Sequence, residues 1–231
     1  MSSGRARILS YLEGCAPRIA EALSELVRIS TVNPYSGDPS PSGEARGQDF
    51  AGERMRALGG ETEFVPVPKD VYRCAGILGP RERDWTDRRS LIGRFRFGSG
   101  RTRIVLNGHM DTIGVADYRG EPFSGRVADG VVYGRGASDC KGGIVAGLFA
   151  VEALRETGCE PDCEIIFESV VDEECNGAGA GTLACCQAGV TGDYCIVLDG
   201  TAGRMYAGCQ GIATAAVTVQ GRAGHGSYGG G

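Results

Sequence analysis

His109 and Asp111 stand two residues apart in Gly108-His109-Met110-Asp111-Thr112, and the chain holds only two histidines in 231 residues. On an extended segment, residues at i and i+2 face the same side. The imidazole can therefore bind a metal through one ring nitrogen while the aspartate accepts the proton of the other, fixing tautomer and orientation. Further acidic positions follow in similar settings: Asp139 after Gly134-Arg135-Gly136-Ala137-Ser138, the triplet Asp172-Glu173-Glu174, and Asp199 in Leu198-Asp199-Gly200. Carboxylates gathered with an imidazole are the hard and borderline donors of a metal-dependent hydrolase. Three adjacent carboxylates repel one another unless exposed or balanced by a cation. One glutamate of the triplet would then be a ligand, and its neighbour the base that takes a proton from a water on the metal.

Each position also has a plainer reading. Asp139 alone suits a helix N-cap, the triplet suits a solvated turn, and Asp199 is an ordinary strand-end aspartate. Cys140-Lys141-Gly142-Gly143 lacks the frame of a phosphate loop. A nucleophilic role for Cys140 lacks a histidine with a clear reason to pair with it.

The surrounding pattern supplies elements that could bring these residues together. Ile19, Leu23, Leu26 and Ile29 predict a helix over 18–29, with Pro17 in its first turn. A second helix is expected over 48–58, a third over 141–155, and a fourth, rich in small residues, over 179–187. Strands are expected at 63–67, at 91–97 and 103–106 joined by the Gly98-Ser99-Gly100 turn, at 163–171, and at 194–198 as a short buried strand. Residues 36–44 read as a loop. The charged run 80–90 reads as a solvated loop in preference to an anionic-substrate patch. Strands alternating with helices imply an α/β sheet with right-handed crossovers. His109 and Asp111, Glu173 and Glu174, and Asp199 each come just past the carboxyl end of a predicted strand, and Asp139 just before a predicted helix. Ligands of open α/β sheets bind at that end, so one cleft could gather them.

Composition sets outer limits. A net charge of −5 argues against nucleic acid or an anionic membrane as the main partner. No apolar run is long enough to span a bilayer, and the N-terminus lacks the apolar core of a signal peptide. The ten cysteines are scattered with no C-x-x-C pair, as expected of small buried thiols in a reducing compartment. A cytoplasmic location follows as the default.

Leu106-Asn107-Gly108-His109-Met110-Asp111-Thr112, Tyr133-Gly134-Arg135-Gly136-Ala137-Ser138-Asp139-Cys140-Lys141-Gly142-Gly143 and Asp172-Glu173-Glu174 together resemble the signatures of the dinuclear zinc amidohydrolase family. That family includes acetylornithine deacetylase, succinyl-diaminopimelate desuccinylase, aminoacylases, glutamate carboxypeptidases and related dipeptidases. The resemblance runs from about Ile8 to the C-terminus. It implies an α/β fold with a mixed, mostly parallel sheet flanked by helices, and the beginning of a smaller α+β lid domain. The expected division is 1–207 as the metal-binding catalytic domain and 208–231 as the start of the lid. The resemblance further implies two Zn2+ (or Co2+ or Mn2+). His109 and Asp199 would hold one, Glu174 the other, and Asp139 would bridge them after a cis Asp139–Cys140 peptide. Glu173 would be the general base, Asp111 the support of His109, and His225 the lid histidine that helps polarise the scissile carbonyl. The family's last metal ligand is a histidine far downstream. This chain has no third histidine, so one metal site is expected to be incomplete and the chain to be an N-terminal portion or truncated product.

The reading is a metal-dependent hydrolase of amide bonds in small N-acyl amino acids or short peptides, a homodimer through the lid in complete form. The alternative is a non-catalytic remnant, or a subunit that binds at most one metal and needs another chain.

Overall fold

The computed structural model describes residues 3–80, 83–175, 179–211, 215 and 217–221. Helices α1 (Gly4–Gly14), α2 (Ala16–Val27) and α3 (Glu44–Ala57) precede strand β1 (Glu61–Pro66), a one-turn helix α4 (Val71–Cys74), and strands β2 (Arg89–Phe97) and β3 (Thr102–His109). A small hairpin of β4 (Arg126–Ala128) and β5 (Val131–Tyr133) comes next. Helix α5 (Lys141–Glu156), strand β6 (Cys163–Val170), helix α6 (Ala180–Gln187) and strand β7 (Tyr194–Val197) complete the order. The described residues beyond β7 form no helix or strand.

The main sheet runs β1-β2-β6-β3-β7. β1 pairs antiparallel with β2, and β2 with β6, whereas β3 lies parallel to both β6 and β7. The sheet is therefore mixed, and its parallel half is the half that ends in acidic residues. Alternate side chains of β6 serve opposite faces, as the pleat requires. Ile165 and Phe167 join Leu26, Met55, Phe95, Ile144 and Leu148 in one core, under α2, α3 and α5. Ile166 and Val170 join Val71, Trp85, Ala184 and Cys185 in the other, under α4 and α6. With both faces covered, β6 carries buried apolar residues on both sides, Ile165 and Phe167 on one and Ile166 and Val170 on the other.

Two expectations are corrected here. The strands flanking Gly98-Ser99-Gly100 are not hairpin neighbours, because β6 lies between them. The turn instead straddles the start of β6: the Asp162 carboxylate accepts the amides of Ser99 at 2.7 Å and Gly100 at 2.6 Å. A Cβ on Gly100 would stand 1.8 Å from the Asp162 carbonyl oxygen, so only glycine allows that approach. The second correction concerns β7, expected to be buried. Among the described residues it is an edge strand paired only with β3, and Tyr194, Ile196 and Val197 are more than half exposed.

Of the ten cysteines, Cys15, Cys140, Cys163, Cys175 and Cys185 are buried. Cys74, Cys186, Cys195 and Cys209 are exposed, which the expectation of small core thiols did not cover. Among the described residues no helix is long and apolar enough to cross a membrane.

Candidate metal centre

The parallel strands bring the acidic segments to one edge. His109 closes β3 directly opposite Val170, the last residue of β6. Met110 N donates to Val170 O at 2.8 Å, and Leu198 N donates to Asn107 O at 2.7 Å. The residues that follow β3, β6 and β7 therefore leave the sheet side by side, at the carboxyl ends where α/β sheets bind ligands. Asp139 arrives from the other direction, one residue before the N-cap of α5. Helix α5 approaches the end of β7 so closely that a Cβ on Gly143 would stand 1.7 Å from the Leu198 carbonyl oxygen.

His109 is 4% exposed, and its two ring nitrogens face different partners. Nε2 lies 2.9 Å from Asp139 Oδ1 and 3.8 Å from Glu173 Oε2. Nδ1 lies 2.9 Å from the Asp111 carbonyl oxygen but 3.7 Å from its carboxylate. The partner that orients the ring is thus the main chain of Asp111, a change from the side-chain contact expected from the H-x-D spacing. Its carbonyl can only accept, so Nδ1 donates there, and Nε2, which faces Asp139 and Glu173, is the nitrogen that would turn to a cation.

The Asp111 carboxylate does something else. Fully buried, it accepts the amide of Glu173 at 3.1 Å, the amide of Glu174 at 3.1 Å, and the Asn33 side-chain amide at 2.8 Å. It fixes the backbone of the acidic turn rather than the imidazole. The turn itself splits the triplet. Asp172 has φ +64° and points inward to full burial, while Glu173 and Glu174 stay half-buried at the site.

Ligating atoms of His109, Asp139 and Glu174 lie within 4.8 Å of one another, and so do those of His109, Cys140 and Asp199. Asp199 also borders Asp139. The Asp139–Cys140 peptide is cis, as the resemblance implied. Cys140 sits among the donors but is a poor ligand. Burial pushes its thiol up to about 12, and Sγ donates to the Leu198 carbonyl at 2.9 Å. Metals take the thiolate, so Asp139 is the better third donor beside His109 and Asp199. The structure therefore gathers His109, Asp111, Asp139, Glu173, Glu174 and Asp199 at one place. His225 lies outside the described residues.

The charges at this place are out of balance without a cation. Burial opposes protonation of His109, but the hydrogen bond to Asp139 and the charges of Asp111 and Glu173 prevail and raise it to about 9. The same hydrogen bond holds Asp139 low. Burial raises Glu173, and it raises Glu174 to about 7 with the help of the Asp139 charge. Two glutamates that burial biases toward their neutral forms, and an aspartate held low by the imidazole it faces, form a donor set that suits one or more divalent cations.

Sequence reasoning missed the support behind the site. The charged run 80–90 was expected to be solvated, yet Arg88 is 5% exposed. Its guanidinium binds Glu44 and reaches Asp172 at 2.9 Å. Arg83 also pairs with Asp172 and donates to the Cys175 carbonyl at 2.8 Å. Tyr72 and Asn33 complete the shell of Asp172. The available signal was the surplus of acid in an otherwise apolar stretch ending at Asp172, which requires cations from elsewhere in the chain.

Residues 105–218 match peptidase family M20/M25/M40. The chain is 39% identical over 221 residues to an N-formyl-4-amino-5-aminomethyl-2-methylpyrimidine deformylase of Halalkalibacterium halodurans, a match covering 92% of this chain and 47% of that protein. It is 37% identical over 180 residues to a succinyl-diaminopimelate desuccinylase of Methylobacterium radiotolerans, covering 71% of this chain and 45% of that protein. Among solved structures, human carnosine dipeptidase 1 superposes with a TM-score of 0.62 at 21% identity, over 83% of this chain and 40% of the other. The dipeptidase Dug1p of Saccharomyces cerevisiae gives 0.63 at 20% identity, over 79% of this chain and 38% of its own. The chain spans about half the length of these curated relatives. Motif order and sheet topology agree with the match of residues 105–218 to peptidase family M20/M25/M40.

Proposed function

We propose that the protein is a metal-dependent hydrolase of amide bonds in small N-acyl amino acids, N-acyl amines or short peptides. The observation that carries this reading is the convergence of His109, Asp139 and Glu174, with ligating atoms within 4.8 Å of one another, beside the Glu173 carboxylate, 3.8 Å from His109 Nε2. His109 and Asp199 would hold one divalent cation and Glu174 another, with Asp139 shared between them. Zn2+, Co2+ and Mn2+ all accept this mixture of nitrogen and oxygen donors. Such cations, when bound, polarise a carbonyl oxygen and make water a better acid.

The chain's own residues do the rest. Asp111 holds the Glu173 and Glu174 amides, so the acidic turn presents one carboxylate as ligand and the other as base. Glu173 takes a proton from the attacking water and passes it to the leaving nitrogen. Its raised affinity for protons suits both halves of that transfer. His225 would add a donor to the carbonyl oxygen from a lid that begins near residue 208, after a catalytic domain over 1–207. A homodimer through that lid and a cytoplasmic location belong to the same reading. The relatives named deformylase and desuccinylase favour N-formyl and N-succinyl substrates over long peptides.

A second reading keeps the fold but reduces the metal. Among the described residues both ligand groups share His109, so one nitrogen donor would serve two positions. A single firmly bound cation and little turnover would follow. Metal analysis after dialysis, together with release of amine from N-formyl, N-succinyl and dipeptide substrates, separates the two. Two retained cations with turnover support the hydrolase. Bound metal with no hydrolysis of any substrate class refutes it for this chain.

A further inference from the structure

We propose that Asn33 is a positioning residue for the metal centre, acting through Asp111 and Asp172. This inference rests on the metal-dependent reading above. Asn33 is fully buried between two fully buried carboxylates. Its Nδ2 donates to Asp111 Oδ2 at 2.8 Å and to Asp172 Oδ1 at 3.1 Å. Its Oδ1 accepts the Tyr35 amide at 2.9 Å. These three partners fix which end of the side chain is nitrogen, because carboxylates can only accept and an amide N–H can only donate.

The chemistry of the position is specific. Two anions that share one neighbour need donors that bring no negative charge, and the NH2 group has one N–H for each. Arg83, Arg88 and Tyr72 already serve Asp172. The Asp111 carboxylate has no side-chain hydrogen-bond donor but Asn33 among the described residues; its other donors are the Glu173 and Glu174 amides. Asn33 is held in turn by its own backbone, whose N–H donates to the Thr112 carbonyl at 2.8 Å. One amide thereby adds a side-chain tie between the chain around His109 and the start of the acidic turn, beside the bonds of Asp111 to the Glu173 and Glu174 amides. Without it, Asp111 can turn toward other donors, and the turn carrying Glu173 and Glu174 shifts relative to His109. Outer-shell partners of this kind change metal affinity about 10–100-fold when removed.

The test is Co2+ titration of the metal-free full chain, read as dissociation constant and as the visible spectrum of the bound ion. Asn33→Ala, Asn33→Ser and Tyr72→Phe are compared with wild type. Tyr72→Phe removes a donor to the far oxygen of Asp172, at 3.2 Å, without touching Asp111. Asn33→Ala is expected to weaken Co2+ binding by about 10–100-fold and to alter its spectrum. Asn33→Ser, with one donor left, loses less. Tyr72→Phe lowers Tm but leaves Co2+ affinity within about twofold, since Arg83 and Arg88 still hold Asp172 and Asp111 keeps all its donors. Wild-type affinity in Asn33→Ala overturns the proposal, as does an equal loss in Tyr72→Phe. If Asn33→Ala does not fold, Asn33→Ser is decisive, and if neither folds Asn33 is a fold residue only and the proposal fails. A wild-type chain that takes up no Co2+ overturns the metal reading itself, a result distinct from all of these.

Discussion

Glu44 and Arg88 form a two-pronged ion pair inside the protein: Nε donates to Oε2 at 2.7 Å and Nη2 to Oε1 at 2.8 Å, with the side chains 4% and 6% exposed. The same guanidinium reaches Asp172 through Nη1. One arginine from the 80–90 segment thus joins the first turn of α3 to the start of the acidic turn.

Arg88→Ala leaves Glu44 and part of Asp172 uncompensated. Breaking a buried pair by removing one partner costs about 3–5 kcal/mol. The urea midpoint of unfolding should fall accordingly. A change no larger than that of a surface arginine such as Arg73 would show that the pair contributes nothing.

Glu173→Gln keeps the size of the side chain and removes its capacity to accept a proton. Cation binding should persist, while turnover of an N-acyl amino acid or dipeptide falls by about 10²–10⁴-fold. Equal activity in the glutamine variant would remove Glu173 from the chemistry. His109→Ala should act on the other quantity and weaken cation binding itself.

The metal-free protein should lose stability as pH rises. Protonated His109 titrates at about 9 in the fold against 6.5 ordinarily. A raised folded value means that its contribution is complete below 6.5 and is lost as pH passes about 9. Glu174, raised to about 7, acts in the same direction at lower pH. Cation binding must displace these protons, so affinity should climb with pH over the same interval. Thermal melts of the chelated protein against pH, with and without His109→Gln, check both signs. A melt that rises with pH from 6.5 to 9 contradicts the assignment.

Gly143→Ala tests how α5 meets the end of β7. The added Cβ would lie 1.7 Å from a backbone oxygen that cannot swing aside. Overpacking of this kind costs about 1–3 kcal/mol. Because α5 follows Asp139, cation affinity should fall with stability. An unchanged Tm would mean that the helix slides freely.

Much of this was legible from residue order. The 3.6-residue spacing that predicts α5 begins at Lys141, where the helix begins, because Gly-rich chain precedes it. The apolar run at Cys163–Val170 is long enough to need cover on both faces, and the sheet places it centrally. His109, Glu173, Glu174 and Asp199 were visible because they follow predicted strand ends, and Asp139 because it precedes a predicted helix, while their roles came from the family resemblance. Three features were not. The β4–β5 hairpin turns on Asp129 and Gly130, both at positive φ, but its strands are too short to show periodicity. The burial of Arg83 and Arg88 depends on Asp172 turning inward, which spacing does not encode. The pairing of β6 between β2 and β3 is a long-range choice, and the glycine turn before β3 gives the local signal of a hairpin.

That insertion has a consequence for how the chain is made. β2 and β3 emerge in succession, yet the strand that joins them is Cys163–Val170, with the whole of α5 in between. Pairings between distant segments form slowly, because the intervening loop must close first. Until β6 arrives, each of the two earlier strands keeps an open edge toward the ribosome's surroundings, and His109 has no Val170 to set its depth. The proposed cation site would therefore be a late product of synthesis. A chaperone that shields β2 and β3 during translation should raise the yield of cation-binding protein more than it raises the yield of total polypeptide.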